Sequence, residues 1–217
     1  MTLKSAFRGL KFAGLFLALG SCTPATNLAA SFIPAFNQEI DTAELKSGTY
    51  QLDPRHSALH MSFNHMGFSR TIGRFERFEA TLVFDKENPG TARLSVTIDA
   101  ASINTNYGEL DELLTGKDFF DVENYPEFTF TSEVVYFRNN TEGQLPGILT
   151  VHGKAREVVL DVTFYGGAKN WISGEYTLGF AARGSFNRSD FGVKRLLPLT
   201  GDEVRFEIQA EFLRKRD

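Results

Sequence analysis

The sequence predicts an all-β fold of eight or so antiparallel strands. Three features carry this: a hydrophobic period of two from Thr49 to the C-terminal end, turn signals that punctuate it, and an excess of phenylalanine, 21 in 217 residues against 6 Tyr and 1 Trp. Alternation turns one face of each strand toward an apolar interior and the other toward water. Phe brings large apolar area with no polar handle, which favours an aromatic interior over a polar recognition surface. At 42% hydrophobic and 23% charged residues the chain is neither disordered nor collagen-like. It is long enough to bury a core in one domain without disulfides, and its single cysteine, Cys22, excludes an internal one.

Residues 1–21 hold Lys4, Arg8 and Lys11 but no acid, and Phe12 to Leu19 form an apolar run too short to span a bilayer as a mature helix. This is the pattern of a secretory signal peptide. Its end, Leu19-Gly20-Ser21-Cys22, resembles a bacterial lipobox, which implies a lipoprotein of the bacterial periplasm anchored to a membrane by a lipid on Cys22. The alternative is an ordinary cut near Ala29-Ala30 that discards Cys22. Cleavage before Cys22 leaves 20 bases against 27 acids, a net charge of −7. That argues against nucleic acid as a partner and against electrostatic adhesion to anionic lipid. Residues 22–46 are aperiodic, with Pro24 and Pro34, and read as a tether; residues 47–217 read as the folded domain.

The strands follow in order. Leu59, Met61 and Phe63 alternate with His60 and Ser62; Phe78, Ala80, Leu82 and Phe84 with Glu79, Thr81 and Val83; Leu94, Val96 and Ile98 with Ser95 and Thr97. Phe128 and Phe130 flank Thr129, and Leu149 and Val151 flank Thr150. Val158, Leu160, Val162 and Phe164 share a phase, as do Leu178, Phe180 and Ala182, and then Val204, Phe206, Ile208, Ala210 and Phe212. Phe75 and Phe78 are out of phase by one, which predicts a bulge near Glu76-Arg77. Asn88-Pro89-Gly90, the stretch from Asn139 to Gly143, and Gly166-Gly167 read as turns. Residues 109–116 alone read as helical. Strands with one apolar face must hide it in a sandwich or a closed barrel, and periodicity does not choose between them.

Motifs along the chain narrow the choice. Gly48-Thr49-Tyr50-x-x-Asp53-x-x-His56-Ser57 is followed by Asn64-His65-Met66-Gly67-Phe68-Ser69, Ala101-Ser102-Ile103-Asn104-Thr105 and the run from Lys117 to Pro126. Gly147-x-Leu149-Thr150-Val151-His152-Gly153 and Arg188-x-Asp190-Phe191-Gly192 complete the series. Over residues 48–213 this resembles the YceI-like family of bacterial envelope proteins. The resemblance implies a single antiparallel lipocalin-like β-barrel with a short helical insertion. It also implies a lumen that binds a long-chain apolar small molecule such as a polyisoprenoid, an isoprenoid quinone or a fatty-acid derivative. Where the family often has Arg-Asp-x-His-Leu, this chain has Leu110-Asp111-Glu112-Leu113-Leu114, without the Arg and the His.

By inward phase and mid-strand position the expected lumen lining is Leu59, Met61, Phe63, Phe84, Leu94, Val96, Phe128, Phe130, Leu149, Val151, Leu160, Phe180, Phe206 and Ile208. No catalytic residue or cofactor is expected, because nucleophile-elbow, zinc-protease, P-loop and dinucleotide motifs are all missing. No metal is expected either: His56 and His60, four apart on a strand, lie about 13 Å from one another. His56, His65 and His152 read as strand-end hydrogen-bonding groups and His60 as a surface residue. Asp118 and Asp121 read as turn caps around Phe119-Phe120, which serve either as core plugs or as a flap. The expected function is non-enzymatic carriage or sequestration of an apolar ligand; the alternative is an envelope interaction protein with a filled core.

Overall fold

The computed structural model describes residues 44–216. The predicted signal, Cys22 and most of the tether lie outside the described residues. The strands are β1 (Gly48–Leu52), β2 (Ala58–His65), β3 (Ser69–Phe75), β4 (Phe78–Phe84), β5 (Arg93–Asp99), β6 (Ile103–Asn104), β7 (Glu127–Ser132), β8 (Tyr136–Phe137), β9 (Glu142–Val151), β10 (Lys154–Lys169), β11 (Tyr176–Asn187) and β12 (Thr200–Arg214). One α-helix among the described residues, α1 (Gly108–Thr115), overlaps the predicted helical stretch. All pairings are antiparallel, in the order β1-β4-β5-β7-β9-β10-β11-β12, and β12 pairs back onto β1 to close the sheet. The result is a closed antiparallel barrel of eight strands, not a sandwich.

β2, β3 and β6 continue β1, β4 and β5 past a shared line of kinks. β2 pairs with both β12 and β3, and β3 pairs with β6, so each extends a neighbouring barrel strand. Between Leu52↔Phe212 and Leu59↔Ile208 the first run spends seven residues against four of the last. The surplus is taken up by a 3-10 turn at Pro54–His56, where the buried Asp53 carboxylate accepts from the Arg55 backbone N–H. Ser57 Oγ accepts from the Glu211 backbone N–H.

The expected bulge at Glu76-Arg77 is a corner between two strands. Buried Ser102 holds it, its carbonyl accepting from Glu76 N and its hydroxyl oxygen from Arg77 N. A break was needed rather than an extra residue because β3 and β4 have different partners on both sides. Phe75 and Phe78 therefore both face the interior.

Gly166-Gly167 is not a turn. It lies inside β10, where the pairing with β11 shifts register between Phe164 and Gly166. Gly166 has φ +125°, which a side chain would oppose, and a Cβ at Gly167 would lie 2.4 Å from Leu178 Cδ2. The chain reverses later, at residues 170–175. Leu45 and Lys46, which the sequence assigns to the tether, belong to the barrel: Leu45 is buried, and the Lys46 carbonyl accepts from Tyr50 Oη at 2.5 Å. The Tyr50 hydroxyl is sealed inside, and burial pushes its pKa up to about 12.

Candidate functional site: an apolar lumen open at one end

The barrel encloses a cavity of about 610 Å³, within the range of roughly 300–1,000 Å³ usual for small-molecule sites. The alternation of each strand fixes which side chains reach it. Of the sixteen phenylalanines among the described residues, all but Phe68 line this space. The Phe excess is therefore a property of the lumen. The structure places all fourteen predicted positions on the wall: Leu59, Met61, Phe63, Phe84, Leu94, Val96, Phe128, Phe130, Leu149, Val151, Leu160, Phe180, Phe206 and Ile208.

One end is closed by side chains. Leu114 of α1, Phe119, Phe120, Phe191 and Val193 are buried and face the lumen. Phe75, Phe120 and Phe128 pack on one another, the Phe120 and Phe128 rings meeting edge to face at 5.1 Å. Phe119 and Phe120 are thus plugs rather than a flap. Asp121 accepts from the Asn124 amide and so shapes the turn that follows, whereas Asp118 instead faces Arg195 at 3.7 Å. The two positions where the family's Arg and His are missing do not reach the wall: Leu110 packs behind the plug and Leu113 is 43% exposed.

Sequence reasoning missed Arg188, a buried cation at this closed end. Its guanidinium donates from Nε to the Gly201 carbonyl, from Nη1 to the carbonyls of Val193 and Arg195, and from Nη2 to Thr200. Every nitrogen is engaged, so Arg188 stitches residues 193–201 to the barrel floor and has no donor left over for a ligand. Desolvation lowers its pKa, partly offset by Asp202. The only sequence signal was its place beside Phe191-Gly192 in a matched motif.

The other end is the mouth. Lys86, Pro89, Phe137 and residues 138–143 line it, from the loop after β4 and the hairpin between β8 and β9. Arg138 donates to Asp161 Oδ1 at 2.6 Å and Lys86 lies 3.6 Å from Glu87. Apart from Arg188 and Thr200 on the floor, the polar groups lining the cavity among the described residues belong to this mouth. Sequence marked these residues only as turns.

No histidine reaches the lumen wall among the described residues. His56 Nδ1 contacts Asp53 Oδ2 at 2.8 Å, outside the cavity. Hydrogen bonds from Arg55 first, and also from His56, hold the Asp53 pKa down at about 2. Ser57 Oγ faces the Glu211 backbone rather than this imidazole, so the trio is a kink fastener and not a nucleophile–base–acid array. His60 and His65 are exposed. His152 departs from the expected strand-end hydrogen bond: its ring packs at a 52° tilt against Tyr125, centroids 4.6 Å apart, and Nδ1 has no partner. No group of three or more His, Cys, Asp or Glu among the described residues is placed to hold a metal ion.

The YceI-like domain model matches residues 50–212, three quarters of the chain. The chain belongs to the YceI-like family. It is 31% identical over 215 residues to Protein YceI of Escherichia coli, covering 99% of this chain and 100% of that one. Among solved structures, it resembles Burkholderia cenocepacia BcnA with TM-score 0.67 and 26% identity, covering 74% of this chain and 98% of that one. A YceI protein of Campylobacter jejuni gives TM-score 0.61 and 31% identity, covering 70% and 90%. A polyisoprenoid binding domain from Saccharophagus degradans gives TM-score 0.58, covering 78% and 100%; at 12% identity this likeness concerns the YceI-like fold alone. The residues that carried the motif resemblance now have structural roles in this family member. Asp53, Ser57 and Ser102 fasten kinks, and Arg188 and Phe191 build the floor.

Proposed function

We propose that this YceI-like protein binds a long-chain apolar small molecule in its lumen, an isoprenoid or a fatty-acid derivative, and carries or sequesters it in the bacterial envelope without catalysing a reaction. The observation that carries this is a 610 Å³ cavity lined by fifteen phenylalanines, closed at one end and polar only at the other and on its floor. Such a space suits a tail that enters first and a polar group that stays at the mouth near Lys86 and Arg138. Each buried CH₂ contributes about 0.8 kcal/mol, so a long tail binds with few polar contacts. The polyisoprenoid binding described for the Saccharophagus degradans domain is consistent with this. A carrier rather than an enzyme is in keeping with a lining that is almost wholly apolar among the described residues. Periplasmic placement and a lipid anchor on Cys22 are supported by the basic–apolar start and its Leu-Gly-Ser-Cys end.

Organic extraction of protein purified without added lipid, followed by mass spectrometry, tests the ligand. A long-chain molecule near one per protein is expected, and adding it back should raise the melting temperature. An empty extract with no lipid-dependent shift would reject the proposal. Cys22→Ser should move the protein out of the detergent-extractable membrane fraction; a wild-type protein that is already soluble, with a mature mass beginning after Ala30, would reject the anchor.

A further inference from the structure

The barrel wall is not even at its mouth. β10 pairs with β9 as far as Thr163↔Glu142, then continues six residues to Lys169 with only β11 beside it. Only its β9-side edge is free there, because β11 stays paired with β12 as far as Thr177↔Leu213; the β10–β11 hairpin ends at the barrel rim in a turn carrying Trp171 and Ile172, 80% and 79% exposed. The turn is well held: Asn170 Oδ1 accepts from the backbone N–H groups of Ile172 and Ser173, and the Asn170 N–H donates to the Glu175 carbonyl. Two large apolar side chains are thus presented outward on a fixed backbone. Neither lines the lumen or belongs to the core. Tyr136 and Phe137, also exposed, stand beside the same opening on β8.

Isolated exposed apolar residues are ordinary; four at one opening, two of them on a hydrogen-bonded turn, mark a contact surface. What covers it follows from where the chain enters. Glu44 and Leu45 lie against the end of this hairpin: Tyr176 Oη donates to the Glu44 carbonyl at 3.0 Å, and Leu45 Cδ2 is 2.9 Å from where a Cβ on Gly167 would stand. The 43 preceding residues, with the apolar run Phe12–Leu19 and Cys22, therefore join the domain at the mouth and not at the floor. The segment expected to carry the anchor thus enters the domain at the same end as Trp171 and Ile172. Trp and Tyr are the side chains that favour the membrane–water interface.

We propose that the β10–β11 turn bearing Trp171 and Ile172 seats the open end of the barrel on a lipid bilayer, so that an apolar tail passes between bilayer and lumen without crossing water. This rests on the ligand reading above. Insertion of Trp171 and Ile172, rather than charge, drives the contact, in keeping with the net negative chain.

Trp171 is the single tryptophan of the sequence and reports its own position. The full chain carrying Cys22→Ser, which lacks the lipid, is mixed with phosphatidylcholine vesicles and with phosphatidylethanolamine–phosphatidylglycerol vesicles. Trp171 emission should shift to the blue with both, resist added salt, and be quenched by lipids brominated in the acyl chain. Trp171→Ser combined with Ile172→Ser should lower co-sedimentation with vesicles at least about tenfold, since that is the scale of losing one large buried side chain and this variant loses two. Met66→Ser with Phe68→Ser, exposed side chains on the hairpin at the opposite end, should leave it unchanged. Vesicle binding without quenching of Trp171, quenching restricted to anionic vesicles, or a loss caused by the Met66 and Phe68 pair instead would each overturn the proposal. Lipid extraction from the same preparations separates the two ideas. Quenching with an empty extract rejects the carrier but keeps the docking; a loaded lumen with unquenched Trp171 does the reverse.

Discussion

The two ends of the barrel are built from the same alternating strands and finish differently. At the floor, α1, the Phe75–Phe120–Phe128 cluster and Arg188 fill the space and satisfy one another. At the mouth, small residues such as Ala80, Ala92 and Ala210 share the wall with Phe164, Phe180 and Phe212, and the polar groups are exposed. An apolar interior is closed by large side chains with no room to move and kept open where small ones alternate with large. The contrast teaches that side-chain size, not hydrophobicity alone, separates the stoppered end from the open one in this chain.

Substitutions at matching places on the two ends should differ most for the arginines. Arg188→Ala strands several buried carbonyls at the floor and should cost about 3–5 kcal/mol in urea unfolding. Arg138→Ala removes a half-exposed ion pair at the mouth and should cost less than about 1 kcal/mol. Equal losses would break the comparison.

The aromatic residues come next. Phe120→Ala should leave a void in the floor and cost about 3–5 kcal/mol. Phe180→Ala, facing the open part of the lumen, should cost the ligand-free protein less than half of that and change the length distribution of the co-purifying molecule. Thermal unfolding and mass spectrometry read the two effects; full-sized penalties at both positions would mean that the lumen is packed solid.

A smaller effect belongs to the kink between the two ends. Asp53→Asn weakens the hydrogen bonds to Arg55 and His56 and should cost about 1–3 kcal/mol. Because the folded-state pKa of Asp53, about 2, lies below the ordinary value of 3.8, its contribution is complete above pH 4 and lost as pH falls toward 2. The urea midpoint of wild type should fall across that window, and the fall should be shallower in Asp53→Asn. The smallest expected effect is alkaline. The Tyr50 pKa of about 12 against an ordinary 10 means that stability is intact below pH 10 and declines from there toward pH 12, less so in Tyr50→Phe.

Much of the lumen was legible because strand phase is a local property. Side chains alternate whatever the strand pairs with, so Phe128 and Phe130, or Phe206 and Ile208, declare a shared face within a few residues. The same logic misjudged Gly166-Gly167. Two glycines look alike in a turn and in a bulge, and only the pairing of Gly166 with Gly179 and the approach of Leu178 distinguish them. It also missed Arg188, since a cation is read as exposed until four neighbours from residues 193–201 fold around it.

The sequence by itself therefore determined the all-β class, the inward and outward faces of the strands, and a wall dominated by Phe. Whether those strands made a sandwich or a barrel, which end was stoppered, and where the long strands kinked were decided only by tertiary structure. Periodicity acts over a few residues, whereas closure depends on Leu52 meeting Phe212, and the corner on Ser102 meeting Glu76 and Arg77. These partners are too far apart in the chain for local pattern to register them.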